Sequence, residues 1–187
     1  MKRVSLSILL ALGLLVLVPQ VQAQPGDGFG LFVGSASHTS KVALPGLPFQ
    51  FESSGASIGI DWQFAVSDNF SIVPFLMSSS ETVTGDVEGS AAHGILAISF
   101  RLWVGGFFLG PHMGSYSEVV TIDKLFGVPV GGSDVSSSGT GAGFMIGFEA
   151  ENGFLIMLQT DSATVEDSDG VETDLTGSRL HIGYRWK

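Results

Sequence analysis

The sequence predicts an all-β protein, an eight-stranded antiparallel up-and-down β-barrel that crosses a membrane. Three observations lead to this prediction. Apolar residues alternate with small or polar residues along most of the chain, which is the pattern of two-faced strands. The alternating segments number eight, and the connections between them are alternately short and long. The mean hydropathy is +0.39, which excludes a disordered acidic chain.

The composition excludes several other classes of protein. The 187 residues include 26 Gly but only 7 Pro, without a three-residue period, so the chain is not collagen-like. No Cys is present, which excludes disulfide scaffolds and thiolate metal sites. The formal net charge is −10, so a basic surface for nucleic acid is lacking and no nucleic-acid partner is expected.

The first segment, residues 1–23, has the features of a signal peptide. A basic start at 1–3 precedes a nearly continuous apolar stretch at 4–18, and small residues near Ala23 suit cleavage after that residue. The alternative is a membrane anchor, but the apolar stretch is shorter than the roughly 20 residues that span a bilayer. Export would leave a barrel domain at 24–187 with six basic and 18 acidic residues, a net charge of −12.

The segment 56–66 shows the strand pattern most simply. Ile58, Ile60 and Trp62 alternate there with Gly59 and Asp61. A helix would scatter these apolar residues around its axis, whereas a strand collects them on one face. Similar alternation predicts eight strands, at 28–39, 54–66, 70–83, 89–104, 107–121, 138–150, 154–165 and 173–186.

The connections between these strands differ in length and composition. Three are tight turns that contain Asn or Gly, at 67–69, 105–106 and 151–153. Four are longer and polar, at 40–53, 84–88, 122–137 and 166–172. Placing all short turns at one end and all long loops at the other is typical of bacterial transmembrane barrels.

The identity of the two faces distinguishes a membrane barrel from a soluble one. The less apolar face consists largely of Gly, Ala and Ser with isolated charges, which suits the narrow interior of an eight-stranded barrel. The apolar face must then point outward, and exposing its side chains to water would cost roughly 1.5–3 kcal/mol each. A helical hairpin over 94–110 is the remaining alternative, but Arg101 would lie at its centre and Gly105-Gly106 interrupts it.

The final strand carries a recognisable signature. Leu180, Ile182, Tyr184 and Trp186 alternate with other residues, and Lys187 follows the last aromatic. The alternation resembles the terminal strand of Gram-negative outer-membrane proteins, although the aromatic is here penultimate. The whole chain resembles the small OmpA/OmpX-like barrels.

That resemblance implies a location in the bacterial outer membrane, with short periplasmic turns and extracellular loops. It also implies several partners, namely outer-membrane lipid and lipopolysaccharide, the barrel-assembly machinery and periplasmic chaperones. A host or surface ligand is compatible with it but is not identified by the sequence.

Charged residues on the inward face are the first candidate site. Since isolated charges are costly to bury, we expect carboxylate–guanidinium pairs in which Asp61 and Glu149 accept from arginines. These ion pairs would plug the lumen, and the alternative is a narrow pore for small solutes. The predicted lumen charge network comprises Asp61, Arg101, Glu149, Arg179, Arg185, His112 and His181.

Aromatic residues beside the short turns form a second candidate set. Trp and Tyr concentrate where a membrane meets water, and barrels carry aromatic girdles there. The predicted interface aromatics are Trp62, Trp103, Phe107 and Phe154.

An enzymatic role is possible on this architecture, because lipid A deacylases of the PagL type are similar barrels. They use a Ser nucleophile with a His base two residues away. Only His38 and Ser40 have this spacing, since His112 and His181 are each followed at that distance by Gly. The predicted protein is therefore non-enzymatic, with no catalytic residue and no cofactor.

The acidic segment 166–174 is a candidate cation loop. Asp167, Asp169 and Glu172 resemble the start of a calcium-binding loop, but the full ligand pattern is missing. The segment is predicted to be a solvated loop, and no metal site is predicted. The predicted function is a structural or surface-interaction role, either membrane integrity or adhesion through the acidic loops.

Overall fold

The computed structural model describes residues 25–42 and 49–187. The predicted signal peptide and the middle of the first predicted loop lie outside these residues. Within the described part, no helix has the length and apolar character needed to cross a membrane.

The described residues form one closed antiparallel barrel. Each strand pairs with the next along the chain, and β1 pairs with β8, beginning at Phe29 opposite Trp186. The predicted fold class is confirmed. The strands are β1 (Gly28–Val42), β2 (Phe49–Ser67), β3 (Phe70–Gly85), β4 (Val87–Val104), β5 (Phe107–Leu125), β6 (Val128–Glu149), β7 (Phe154–Asp167) and β8 (Glu172–Trp186).

One end of the barrel, here called the turn end, carries the three predicted tight turns. Gly105 and Gly153 have φ values of 60° and 89°, a conformation that glycine adopts without steric cost. The Asn152 carboxamide oxygen accepts a hydrogen bond from the Phe154 amide at 3.0 Å. Asn and Gly therefore occupy these turns for conformational and hydrogen-bonding reasons.

At the opposite end, here called the mouth end, the predicted loop bounds are wrong. The strands continue well past their predicted limits, so that Asp86 alone separates β3 from β4, and Phe126-Gly127 separates β5 from β6. The outward positions there are hydroxyl residues, such as Ser80 and Thr82 on β3, which extend the ladder without an apolar face. Apolar alternation stops where lipid contact stops, but backbone pairing does not.

The outer surface carries a continuous apolar belt in the turn-end half. On β4, the outward residues from Leu96 to Val104 are large and apolar, whereas Ser90 and Ala92 lie above them. At about 3.3 Å per residue and about 40° of tilt, this belt is about 20 Å tall, close to the apolar band of outer-membrane barrels. Lipid is the solvent that stabilises such a surface, since the closed ladder satisfies its backbone groups internally.

The interior is packed by large side chains facing glycines. Phe32 is buried, and a Cβ atom on Gly59 would overlap the Phe32 ring. Gly147 leaves room for Phe108 in the same way. Small residues at these inward positions therefore make space for aromatic rings from neighbouring strands.

Candidate functional site

Two groups of buried polar residues divide the lumen. The turn-end cluster consists of Asp61, Arg101, Glu149 and Arg185, which come from β2, β4, β6 and β8. Period-two alternation turns each of these side chains inward, while its neighbours face lipid.

The turn-end cluster is a chain of ion pairs. Asp61 Oδ2 accepts from Arg101 Nη2 at 3.0 Å and from Arg185 Nη2 at 2.9 Å. Arg185 Nε also donates to Glu149 Oε2 at 2.9 Å, and the Arg101 guanidinium lies 4.6 Å from the centre of the Phe108 ring. Two guanidinium groups therefore meet two carboxylates, which compensates the desolvation that each would suffer alone.

Arg179 lies in a different environment from the one expected. Its guanidinium contacts Asp161 rather than Asp61 or Glu149. Asp161 Oδ1 also lies 2.8 Å from His112 Nε2 and accepts from the Tyr116 hydroxyl at 3.0 Å. Asp161 is a lumen acid that sequence reasoning missed, because the start of β7 shows no clear alternation and leaves the phase of the strand undefined.

A second group, here called the histidine cluster, consists of His38, Glu81 and His93. His38 Nδ1 lies 2.8 Å from Glu81 Oε1, and His93 Nε2 lies 3.7 Å from Glu81 Oε2. The two imidazole rings are stacked, with their centres 4.1 Å apart. All three residues are buried, although they come from β1, β3 and β4. Sequence reasoning missed this convergence, since Glu81 and His93 were not among the candidates.

Three further residues surround the histidine cluster. Ser53 and Ser79 donate to Glu81 carboxylate oxygens at 2.6 and 2.5 Å. Glu118 Oε1 lies 3.8 Å from His93 Nδ1 and accepts from the Ser40 hydroxyl at 3.0 Å. Polar side chains from five strands are therefore linked in one buried network.

His38 and Ser40 do not form a nucleophile–base pair. The Ser40 hydroxyl donates to Glu118, whereas His38 Nδ1 faces Glu81 and His38 Nε2 lies 2.6 Å from Arg179 Nη2. A base that activates Ser40 would have to lie within hydrogen-bond reach of the hydroxyl. His38 therefore contributes to the buried network rather than to a hydrolase site.

The remaining predicted residues occupy both faces of the wall. His181 is buried and lies 2.6 Å from the Ser57 hydroxyl. Trp103 was expected at the outer interface, but it is only 2% exposed and its indole donates to Ser71 at 2.8 Å inside the barrel. The prediction for Trp103 is wrong because it rested on residue type, whereas the phase of β4 turns Trp103 inward with Arg101.

The other aromatic candidates lie on the outer surface. Trp62 packs edge-on against Phe29, with their ring centres 5.3 Å apart, and Phe107 lies 4.9 Å from Phe148. Phe154 is exposed at the start of β7. The terminal signature residues also point outward on β8: Leu180, Ile182, Tyr184 and Trp186.

The acidic segment 166–174 folds as a hairpin tip. Asp167 Oδ1 accepts from the backbone amides of Asp169 and Val171, both at 2.9 Å. Asp174 Oδ1 accepts from the Thr164 hydroxyl at 3.0 Å. Carboxylates of this segment therefore stabilise the turn and its adjoining strands.

Comparison with known proteins identifies the architecture. No family model and no curated protein matches the chain. Two solved structures of Ail, the attachment invasion locus protein of Yersinia pestis, are similar with TM-scores of 0.59 and 0.58 at 13% identity. In each case 86% of this chain covers 99% of Ail. The present chain has the fold of the small eight-stranded outer-membrane barrels.

The Ail structure with the TM-score of 0.58 holds the heparin analogue sucrose octasulfate. Neisserial surface protein A is similar with a TM-score of 0.49 and 12% identity, over 84% of this chain and 96% of that chain. At 13% identity, the likeness to Ail defines the fold of the present barrel and not its ligand.

The β5–β6 hairpin of this barrel differs from the β3–β4 and β7–β8 hairpins at the same end. β6 pairs with β7 only from Ser137 onward, so among the described strands its residues 128–136 have no partner on that side. At the tip, Phe126 is 59% exposed and Val128 is 62% exposed. Lys124 near the tip donates to Glu88 at 2.7 Å, and this hydrogen bond raises the pKa of Lys124.

A cavity of about 160 Å³ lies inside the mouth of the barrel. Most of its lining is apolar, including Phe51 and Val120, and Glu118 and Asp167 contribute carboxylates. The lumen below it is filled by packed side chains, among them the fully buried Phe32 and Met145. Within residues 25–42 and 49–187, the barrel therefore has a cavity at its mouth above a packed interior.

Proposed function

We propose that this barrel is a non-enzymatic surface-interaction protein of the outer membrane and that the β5–β6 hairpin is its contact element. The main support for this proposal is the exposed apolar tip at Phe126 and Val128. This tip joins β5 and β6, the longest pair of neighbouring strands in the barrel. A contiguous group of exposed apolar side chains is a feature of surfaces that bind another molecule.

The backbone at the tip supports this proposal. Phe126 has a φ of 49°, which is sterically unfavourable for a bulky residue and costs of order 1–3 kcal/mol. A two-residue turn of this kind favours Asn or Gly at the first position. Phe therefore occupies a position where another residue would give a more stable hairpin, which is consistent with selection for contact.

The exposed edge of β6 supports one class of partner. Unpaired amide and carbonyl groups along 128–136 can pair with an extended peptide segment, which adds a strand to the sheet. The proposed partner is therefore a protein that offers an extended apolar segment, rather than a small solute.

A sulfated polysaccharide fits this surface poorly. The described chain has six basic residues, and three of them, Arg101, Arg179 and Arg185, are buried in the lumen. The remaining three are lysines among a large excess of acids. Repulsion between like charges would oppose binding of a polyanion, so the ligand in the Ail complex is not carried over.

Adhesion of bacteria that display the barrel tests the proposal. Phe126→Asn combined with Val128→Thr removes the apolar tip and places a favoured residue in the turn. We expect adhesion to cultured epithelial monolayers to fall severalfold, while the heat-dependent gel shift of the folded barrel is kept. Asp169→Asn at the β7–β8 tip is the matched control and should adhere like the wild type.

Other outcomes would favour the alternative functions. Unchanged adhesion of the tip variant would contradict the proposal. Discrete conductance steps in planar bilayers would favour the narrow pore. Deacylation of lipid A that is lost in Ser40→Ala would favour the hydrolase. Detergent sensitivity of a deletion strain, restored equally by the tip variant, would favour the membrane-integrity role.

A further inference from the structure

The histidine cluster has the donor set of a transition-metal site. One ligand atom from each of His38, Glu81 and His93 lies within 4.8 Å of the others. In a tetrahedral zinc site with bonds of about 2.0–2.1 Å, neighbouring ligand atoms are about 3.3 Å apart. From the single atom Glu81 Oε2, the observed separations are 2.9 Å to His38 Nδ1 and 3.7 Å to His93 Nε2, and they lie on either side of this value.

We propose that His38, Glu81 and His93 bind a single divalent transition-metal ion of the zinc class inside the barrel. The assigned ligand atoms are His38 Nδ1, His93 Nε2 and one carboxylate oxygen of Glu81. Two imidazole nitrogens and a carboxylate oxygen favour such ions over Mg²⁺ or Ca²⁺, which prefer oxygen ligands alone. This site is separate from the proposed contact hairpin, and neither proposal depends on the other.

The residues around the cluster resemble the outer shell of a metal site. A ligating His commonly directs its second ring nitrogen to a carboxylate, which orients the ring and increases its basicity. Glu118 Oε1 lies 3.8 Å from His93 Nδ1, the nitrogen not assigned to the metal. Ser53 and Ser79 hold the Glu81 carboxylate by hydrogen bonds, and Ser53 Oγ lies 3.5 Å from His93 Nε2. Ser53 is therefore placed to supply the fourth ligand through its hydroxyl oxygen.

Two separate voids lie near the groups of the histidine cluster. Glu118 lines the mouth cavity, and its Oε1 atom also lies 3.8 Å from His93 Nδ1. Asp167 lies at the same cavity, so two carboxylates face an entering cation. A further small void adjoins His38 and His93 and is lined by Tyr116. A hydrated ion could therefore exchange its water for ligands in steps.

Arg179 is the competing cation at this site. Its Nη2 atom lies 2.6 Å from His38 Nε2, and a metal on Nδ1 would place a proton on Nε2, facing this donor. Arg179 already contacts Asp161, so its guanidinium can pair wholly with that acid when the metal binds. Metal binding therefore exchanges the Arg179–His38 contact for a metal–His38 bond. Removal of Arg179 should strengthen metal binding.

Titration of the folded barrel with Zn²⁺ tests the site. The metal-stripped protein in detergent micelles should bind one Zn²⁺, measured by calorimetry. We expect His93→Gln and Glu81→Gln to weaken binding at least 100-fold, and Glu118→Gln to weaken it about tenfold. His181→Gln is the matched control, because His181 is also buried but pairs with Ser57. The heat-dependent gel shift checks that each variant is folded.

X-ray absorption spectroscopy at the zinc edge, measured on the zinc-loaded wild type, tests the ligand set without any variant. We expect two imidazole ligands with nitrogen and oxygen donors at about 2.0–2.1 Å. Fewer than two imidazoles, or a wild type that binds no Zn²⁺, would overturn the proposal. Undiminished binding by folded His93→Gln would overturn it as well.

Arg179→Gln should change the affinity for Zn²⁺ in the opposite direction from the ligand variants. Gln can accept from His38 Nε2–H, so the variant should bind Zn²⁺ about tenfold more tightly than the wild type. Weaker or equal binding would contradict the assignment of His38 Nδ1 as a ligand.

Discussion

The turn-end and mouth-end halves of the barrel use one continuous backbone ladder in different surroundings. In the turn-end half, apolar residues such as Ile98 face outward and the ion pairs of Asp61 fill the interior. In the mouth-end half, hydroxyl residues such as Ser90 face outward and the histidine cluster lies inside, beneath a cavity. Strand pairing therefore sets the shape of the barrel, while side-chain chemistry sets the depth at which contact with lipid ends.

The largest expected effect concerns the ion pairs of the turn-end half. Asp61→Asn removes the shared acceptor of Arg101 and Arg185 and leaves buried positive charge uncompensated. The free energy of unfolding should fall by about 3–5 kcal/mol, measured by urea unfolding in lipid vesicles. Asp134→Asn, whose carboxylate accepts from Thr121 on the exposed mouth-end surface, should change it by less than about 0.5 kcal/mol. Equal effects of the two substitutions would erase the contrast between the halves.

A smaller effect is expected when one charge is moved along the outer surface of β4. Ile98→Arg places a cation in the apolar belt and should destabilise the folded barrel by about 2–4 kcal/mol. Ser90→Arg makes the same change above the belt, where about 0–1 kcal/mol is expected. The same vesicle assay measures both. Similar losses at the two positions would mean that lipid reaches the mouth-end half.

The smallest effect concerns the close packing of side chains in the barrel interior. Gly59→Ala puts a methyl group against the Phe32 ring, and the expected loss of about 1–3 kcal/mol is that of an overpacked core. Phe32→Leu should relieve the clash, so the double variant should lose less stability than the sum of the two single variants. Strict additivity in this double-mutant cycle would show that Phe32 does not require the glycine.

Sequence reasoning was most successful where lipid imposes a period of two. Asp61 and Arg101 could be assigned to the lumen because their neighbours are large and apolar, which fixes the phase of each strand. Glu81, Glu118 and Asp161 could not be assigned in this way, since hydroxyl and small residues alternate with them and neither face stands out. The convergence of His38 with Glu81 and His93 depends on strand register across the barrel, which no local pattern specifies.

The seam between β1 and β8 has a consequence for the order in which the barrel can form. Phe29 pairs with Trp186, so the ring closes through residues that lie nearly the whole chain apart. Pairings of such high contact order are slow, because the chain must lose much of its loop entropy before they form. Until the last strand arrives, two edges stay open to other chains, and every closure-dependent contact of the lumen is missing. The seam therefore makes assembly an all-or-none event timed by the final strand.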